Sequence, residues 1–127
     1  MQEYVLQSDD FLVSQTDEKG TILFANDDFC KVAGYNIEDL VGKPHNVVRH
    51  LDMPGIAFKD LWETVKSGKI WTGYVKNRRN DDGYYWVYAT VYPLYDKVRN
   101  VQTYMSCRVK PSRAEIEAAQ KLYKTMK

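Results

Sequence analysis

An arginine, a histidine and an aspartate lie within four positions of one another in a short polar segment. Arg49, His50 and Asp52 belong to the stretch GKPHNVVRHLDMPG, which packs two prolines, two histidines, an arginine and an aspartate into fourteen residues. An arginine offers a planar fork to phosphate oxygens, and a nearby carboxylate can hold that fork or a ribose hydroxyl in place. The alternative is a surface ion pair worth under about 1 kcal/mol. The segment is therefore a candidate phosphate-binding site.

A second set of candidates lies on one face of a predicted strand. Alternation in the run Ile70 to Arg78 places Trp71, Gly73, Val75 and Asn77 on the same side. An Asn77 amide aimed at the core would cost about 1–3 kcal/mol without a partner, and the polar edge of a ligand would satisfy it. The Trp71 ring can cover a flat ligand while its N–H donates a hydrogen bond. A strand-end Asn bonded to nearby backbone and a core tryptophan are the competing interpretations, and both stay open.

The first half of the chain should position these residues with a hairpin and short helices. Two β-rich runs at 11–16 and 21–25, separated by a polar turn ending in Gly20, predict a β-hairpin. Short helices capped by Asn26 and Asn36 are expected to follow.

The second half should supply one longer helix and most of a sheet. Apolar residues at helical spacing predict a helix over 56–66, with Trp62 in its apolar stripe. Strands are expected at 70–78, 84–94 and 101–109, joined by turns. The fold class is α+β, with a five-stranded antiparallel sheet, short helices on one face and a C-terminal helix.

Alternation also predicts which side chains of the last strands face the core. Arg108 should point inward with Tyr104 and Ser106, either beside a ligand or as a half-buried structural arginine. The opposite face is too aromatic for free solvent and is expected to contact another subunit or domain. Its members are Tyr84, Trp86, Tyr88 and Tyr92. The basic side chains at 76, 78 and 79 are expected to form a solvated strand end.

The C-terminal region should be an amphipathic helix. Ser112 and Glu115 form a capping box after Pro111, and apolar residues recur along one side of the following residues. This spacing suits either a coiled coil or a helix packed on its own domain. We divide the chain into an N-terminal segment at 1–10, a main domain at 11–110 and a C-terminal helix at 111–127.

Size, charge and cysteine content exclude several classes of protein. The chain has 127 residues, which suits one domain, and 18 basic against 17 acidic residues leave no basic field for nucleic acid. No apolar run approaches the roughly 18 residues that span a bilayer, and the start lacks signal-peptide features. Cys30 and Cys107 show no metal-ligand spacing. We expect a cytoplasmic, metal-free domain without direct membrane insertion.

These elements resemble the PAS fold, and longer stretches are similar to one branch of it. The element order, the Gly34-Tyr35 break and the closing strands with Trp86 and Pro93 are features of PAS domains. The stretches PHNVVRHLDMP, AFKDLWETVKSGKIWTGYVKNRR and YYWVYATVYP closely resemble the flavin-binding PAS domain of bacterial aerotaxis receptors, over roughly residues 10–126. The resemblance implies non-covalent FAD, redox sensing and output to chemotaxis machinery through the signalling module of a chemoreceptor or through a partner receptor protein.

The resemblance also implies roles for particular residues. In related flavin PAS domains the segment with Arg49, His50 and Asp52 lines the cofactor, and the short helix near His45 faces the flavin ring. The longer helix flanks the pocket in PAS folds, so Trp62 becomes a candidate for the ligand wall beside Trp71 and Asn77. Light-oxygen-voltage relatives carry a cysteine on the short helix that forms a covalent flavin adduct. This chain has none there, so no adduct photocycle is expected.

Other functions remain as alternatives. A haem-binding PAS domain would use His50 or His45 as the axial ligand, and FMN could replace FAD, because only the family resemblance favours the dinucleotide. A cofactor-free protein-interaction domain is a further alternative. An enzyme is not expected, since the chain lacks a nucleotide-binding glycine fingerprint and any defensible nucleophile and base. A homodimer is expected.

Overall fold

Five strands and four α-helices make up the fold in the computed structural model, which describes residues 2–126. The strands are β1 (Leu12–Thr16), β2 (Ile22–Ala25), β3 (Trp71–Arg78), β4 (Tyr84–Asp96) and β5 (Val101–Val109). The helices are α1 (Asp27–Ala33), α2 (Ile37–Leu40), α3 (Gly55–Lys66) and α4 (Arg113–Thr125), with a 3₁₀ helix at His45–Val48.

The strands form one antiparallel sheet in the order β2-β1-β5-β4-β3. The α+β class and the five-stranded antiparallel sheet predicted from the sequence are thus confirmed. Strand β3 lies at one edge, where a single antiparallel bridge joins Asn77 to Arg49. The chain that follows the 3₁₀ helix therefore runs beside the free edge of β3.

Local sequence signals set the start and end of the first helix. The Asn26 side chain accepts hydrogen bonds from the backbone N–H groups of Phe29 and Val13, each at 3.0 Å. Its amide nitrogen also donates to the Phe11 carbonyl at 2.8 Å. Gly34 ends α1 with a φ of +79°, a left-handed conformation that costs a glycine little. Asn26 thereby joins the hairpin to α1.

The main core lies between the sheet and the helices α1, α2 and α3. Its side chains come from both layers and are almost completely excluded from solvent. Members with at most 1% exposure are Leu12, Ile22, Ala25, Phe29, Val32, Ala33, Leu40, Val48, Val65, Tyr85 and Val87.

Helix α4 packs on the opposite face of the sheet. Ile116 and Ala119 of this helix form a small buried cluster with Trp86 of β4, and the Tyr123 ring stacks on Trp86 with centroids 6.4 Å apart. The Ser112 and Glu115 capping box is present in full. Of the two alternatives for this helix, packing on its own domain is the one observed, and part of the predicted aromatic contact surface is covered by the chain itself.

The N-terminal segment crosses the end of β4 and contacts α4. The Tyr4 N–H donates to the Tyr84 carbonyl at 2.8 Å, which adds a short parallel bridge to the sheet. The Glu3 carboxylate pairs with the Arg113 guanidinium at 3.0 Å. Met1, which begins the first predicted segment, and Lys127, which ends the last one, lie outside the described residues. Across residues 2–126, no helix is both long and apolar enough to cross a membrane.

Candidate functional site

A cavity of about 420 Å³ opens between the inner face of the sheet, α3, the 3₁₀ helix and the β1–β2 turn. Its volume lies within the range of small-molecule and cofactor sites. The apolar wall residues are Phe58, Leu61, Trp62, Val75, Ala89, Val91 and Tyr104, and the polar ones include Thr16, His45, Asn77, Ser106 and Arg108. The cavity therefore offers a largely apolar space with polar groups at defined points.

The structure brings four of the seven candidate site residues to this cavity. His45, Arg49, Trp62 and Asn77 line it, whereas His50, Asp52 and Trp71 are not among its lining residues. The Trp62 ring lies edge-on to Tyr104, with centroids 5.4 Å apart, and forms part of the α3 side of the cavity. A contact between a ligand and the other three residues stays a prediction.

Trp71 fills space next to the cavity rather than facing it. Its ring folds over Gly73, where an added Cβ would lie 2.5 Å from a ring carbon. The indole N–H donates to the Asp60 carboxylate at 3.0 Å. Gly73 is therefore needed for close approach, and Trp71 packs β3 against α3.

Asn77 presents an amide on the buried side of β3. The residue is 4% exposed and lines the cavity, and its amide lies near enough to the Tyr85 hydroxyl to oppose the rise in the pKa of that group. Val75 lies on the same strand face, and Ala89 lines the cavity from β4. An amide carries two donor hydrogens and an acceptor oxygen, and at an apolar wall it suits the polar edge of a planar ring.

Arg108 is a buried cation at the inner end of the cavity. It is 2% exposed, and its guanidinium donates to the hydroxyls of Ser106 at 2.7 Å and Ser14 at 3.0 Å. The guanidinium also lies 4.4 Å from the centroid of the Phe29 ring. Among the residues that the structure describes, no carboxylate lies within ion-pair distance of Arg108. A buried cation without a counter-charge favours an anionic or electron-rich ligand.

Arg108 also sets the protonation of His45. Its Nη1 lies 3.4 Å from the His45 Nε2, which is also 3.2 Å from the Ser14 hydroxyl. An arginine can only donate, so Nε2 must accept and the imidazole is neutral with its proton on Nδ1. Burial, together with the charge of Arg108, lowers the pKa of His45 to about 3. Burial likewise lowers the pKa of Arg108 to about 10.

Two buried polar atoms in this region lack hydrogen bonds. They are the Tyr85 hydroxyl and the Arg108 Nε, and neither has a partner within the described chain. Burial raises the pKa of Tyr85 to about 12, although the nearby Arg108 charge and the Asn77 amide oppose the shift. Unsatisfied buried groups are uncommon in folded proteins and indicate a place where a bound molecule or water completes the network.

Basic side chains surround the mouth of the cavity. The Arg49 guanidinium lies 4.3 Å from the centroid of the Phe58 ring, and the Lys66 ammonium lies 5.5 Å from that of Trp62. Lys19 and Lys59 also line the opening, where Glu18 is the acidic member of the lining. The mouth is therefore positively charged and suits a phosphate group.

The bridge between Arg49 and Asn77 explains where His50 and Asp52 go. Extended residues alternate sides, so His50 follows Arg49 onto the other side of the β3 edge. There the Asp52 carboxylate pairs with the Lys76 ammonium at 2.7 Å, and the Asp52 N–H donates to the His50 Nδ1 at 3.0 Å. Arg49, His50 and Asp52 are close in sequence, but in the fold the edge of β3 separates the Arg49 side chain from the other two.

Two basic residues differ from the sequence prediction. Lys76 is 9% exposed, and the Arg79 Nε donates to the Val32 carbonyl at 2.6 Å. The expected solvated strand end is therefore wrong for both residues, because the 49–53 segment and α1 pack against them. Arg78 is exposed as expected. Ser14, which was not among the predicted site residues, is completely buried on β1 and accepts a hydrogen bond from the Arg108 guanidinium.

The chain is similar to known sensory proteins over most of its length. A family model described as PAS fold matches residues 22–107. The aerotaxis receptor of Escherichia coli (strain K12) is 45% identical over 121 residues, which cover 95% of this chain and 24% of the receptor. The nitrogen fixation regulatory protein of Klebsiella oxytoca is 26% identical over 94 residues, which cover 74% of this chain and 19% of that protein. The chain thus spans about a quarter or less of these relatives.

Solved structures share the fold at low sequence identity. The dark structure of the blue-light photoreceptor Aureochrome1 LOV superposes with a TM-score of 0.74 at 18% identity, covering 90% of this chain and 85% of that one. A light-oxygen-voltage domain studied with a flavin analogue gives a TM-score of 0.72 at 21% identity, covering 92% of this chain and 87% of that one.

Groups of three or more His, Cys, Asp or Glu residues able to hold a metal do not occur in the described chain.

Proposed function

The chain belongs to the PAS family, and on that premise we propose that it is a redox sensor that binds FAD non-covalently in the cavity. The similarity to a protein named as an aerotaxis receptor supports an output to chemotaxis machinery. We propose a sensor rather than an enzyme, acting in the cytoplasm as part of a longer signalling protein or beside one.

One observation carries the cofactor proposal. The cavity joins an apolar slot to a buried Asn77 amide and to the Arg108 cation that lacks a carboxylate partner in the described residues. An isoalloxazine ring needs an apolar slot, a hydrogen-bonding group for its pyrimidine edge and positive charge toward which its negative charge can develop. The donor set of the cavity fits this group.

The residues around the cavity have separate roles in the proposed complex. Asn77 would bind the polar edge of the ring, Trp62 would cover one side of the slot, and Arg49 would hold the diphosphate at the mouth. A bound flavin supplies reversible electron transfer with changes of charge and protonation at its ring edge. Arg108 and the neutral His45 lie where they would respond to that change by exchanging hydrogen bonds with the serine hydroxyls.

The sheet provides a route from the cavity to a partner. Arg108 lies on β5 beside Ala89 of β4, and β4 carries Trp86 on the other face against α4. A change in the hydrogen bonds of Arg108 can therefore act on strands that also carry the outer surface. We propose that this surface contacts the signalling module of a chemoreceptor and a second copy of the chain.

Extraction of the cofactor tests the proposal directly. The purified protein should be yellow and fluorescent, and acid extract should contain FAD by mass spectrometry, with FMN as the alternative outcome. An intense Soret band would show that the bound cofactor is haem and not a flavin. Two observations oppose haem, since the His45 Nε2 already accepts hydrogen bonds and His50 is not a lining residue. Colourless protein that ignores added FAD would support a cofactor-free interaction domain.

A further inference from the structure

The 49–53 segment binds to β3 on the side of the strand that faces away from the cavity. The Asp52 carboxylate pairs with the Lys76 ammonium at 2.7 Å, and the Lys76 backbone N–H donates to the Met53 sulphur at 3.3 Å. Asp52 and Met53 thus both bind the same residue of β3. We call these contacts the edge latch.

The Lys76 side chain is unusually buried for a lysine. Its side chain is only 11% exposed, and its ammonium lies 4.5 Å from the centroid of the Tyr84 ring. The His50 ring stands edge-on to the same Tyr84 ring, with centroids 6.1 Å apart. A lysine is held at such a position by specific partners, because an ammonium is costly to remove from water.

The edge latch and the Arg49 side chain lie on opposite sides of the same segment, and Arg49 faces the cavity mouth. Arg49 bridges Asn77 through its backbone, and its guanidinium lies over Phe58. Within residues 2–126, that side chain is held by its stacking on Phe58 and by no ion pair, so its reach toward a phosphate depends on where the backbone of this segment lies. Its position depends on the backbone of 49–53, which the latch holds.

We propose that Lys76 is a positioning residue for the proposed nucleotide site, acting through Asp52 to hold Arg49 at the cavity mouth, where its guanidinium receives the diphosphate. This inference rests on the proposed FAD function. It gives His50 and Asp52 a role in cofactor binding that requires no contact with the cofactor. It also adds Lys76, which has the opposite charge to Asp52 and lies on the other side of the strand from the ligand.

The proposal predicts selectivity between flavins rather than a general loss of binding. Riboflavin carries the isoalloxazine ring but no phosphate, so its affinity should be independent of Arg49. Loss of the latch should therefore weaken FAD and leave riboflavin unchanged. Damage to the fold would weaken both ligands together.

The experiment compares dissociation constants of FAD and riboflavin by fluorescence titration for five proteins and one control variant. They are the unchanged chain, Lys76→Met, Lys76→Arg, Arg49→Met and the double variant Lys76→Met with Arg49→Met. Lys97→Met, at an exposed turn lysine, is the matched control. Circular dichroism and the Tm of each variant report whether it folds.

We expect Lys76→Met to weaken FAD by roughly threefold to tenfold and Arg49→Met by about tenfold or more, with riboflavin unchanged in both. The double variant should be no weaker than Arg49→Met, since both changes remove the same contact. Lys76→Arg should retain most of the FAD affinity because it keeps the charge.

Three results would overturn the proposal. They are an unchanged FAD affinity in Lys76→Met, equal losses for FAD and riboflavin, and additive losses in the double variant. Should Lys76→Met fail to fold, Asp52→Asn takes its place with the same expectations, because the Asp52 side chain is 60% exposed. If the unchanged chain binds neither flavin, the proposed function itself fails and the inference falls with it.

Discussion

The Arg108 Nη1 and the His45 Nε2 lie 3.4 Å apart at the inner end of the cavity, with the cation as donor and a neutral imidazole as acceptor. Ser14 and Ser106 complete the network around Arg108. The chain therefore buries a positive charge beside a histidine that resists protonation. In the proposed complex, this charge faces the part of the ligand whose electron count changes.

Replacement of Arg108 should lower the reduction potential of the bound flavin. Reduction adds negative charge to the ring, and a buried cation stabilises that charge. Arg108→Gln keeps hydrogen-bonding capacity without the charge, and we expect a decrease of roughly 20–60 mV for a two-electron couple. Spectroelectrochemical titration measures the potential, and Arg78→Gln, at an exposed strand position, is the control. An unchanged potential in Arg108→Gln would show that the ligand's redox centre lies away from this residue.

Removal of the Asn77 amide should weaken flavin binding. Asn77→Ala deletes a hydrogen-bonding group from the cavity wall without adding volume, so we expect about tenfold lower affinity for both FAD and riboflavin. A shift in the flavin absorption spectrum should accompany the loss, because the polar edge of the ring changes its partners. Equal affinity and an unchanged spectrum would mean that the amide does not meet the ligand.

Trp62 and Trp71 should differ in their effect on binding. Trp62 lines the cavity, whereas Trp71 packs over Gly73. Trp62→Ala should weaken FAD and riboflavin to a similar extent, by about tenfold, through loss of aromatic contact. Trp71→Phe should lower the free energy of unfolding, through loss of the hydrogen bond to Asp60, and leave the affinities near those of the unchanged chain. A larger loss of affinity in Trp71→Phe than in Trp62→Ala would reverse this assignment.

The apoprotein should lose stability as the pH falls from about 6.5, in part because of His45. Its pKa is lowered in the folded state to about 3. Between about pH 6.5 and pH 3, His45 therefore binds a proton in the unfolded chain but not in the folded chain. The free energy of unfolding should therefore fall by at most about 1.4 kcal/mol per pH unit from this residue. Urea titrations from pH 7 to 4 should show a shallower dependence for His45→Gln. Identical slopes for the two proteins would contradict the lowered pKa.

A second copy of the chain should bind the part of the outer sheet face that α4 leaves open. Leu94 is 45% exposed on this face, and a charge there should oppose apolar contact. We expect a dimer for the unchanged chain in sedimentation equilibrium and a monomer for Leu94→Asp. Val98→Asp, at a 97% exposed turn position, should remain dimeric. A monomeric unchanged chain would refute the proposed dimer.

Local sequence signals predicted the elements because the strands and longer helices have clear periods and two helices have clear caps, although Asn36 precedes α2 without the predicted side-chain cap. The Asn26 cap, the glycine at 34 and the capping box of Ser112 and Glu115 are all local devices. Strand alternation also placed Asn77 and Arg108 correctly on the buried face, since a side-chain period of two leaves little choice.

The candidate site was harder to predict because it depends on contacts between distant segments. Arg49 and His50 are neighbours in sequence, but the β3 edge passes between their side chains. The burial of Lys76 follows from a carboxylate 24 residues away, and no pattern in a single strand reports it. Predicting the latch requires the path of the 49–53 segment, which only the folded chain provides.

The short parallel bridge between Glu3 and Tyr84 has a practical consequence for shortened versions of the protein. Strand β5 ends opposite Tyr88, so the first residues of the chain occupy backbone positions on β4 that would otherwise be open. Deleting them would uncover amide and carbonyl groups able to accept a strand from a neighbouring molecule. An expression clone that starts at Asp10 should accordingly be more prone to precipitate than one that starts at Gln2.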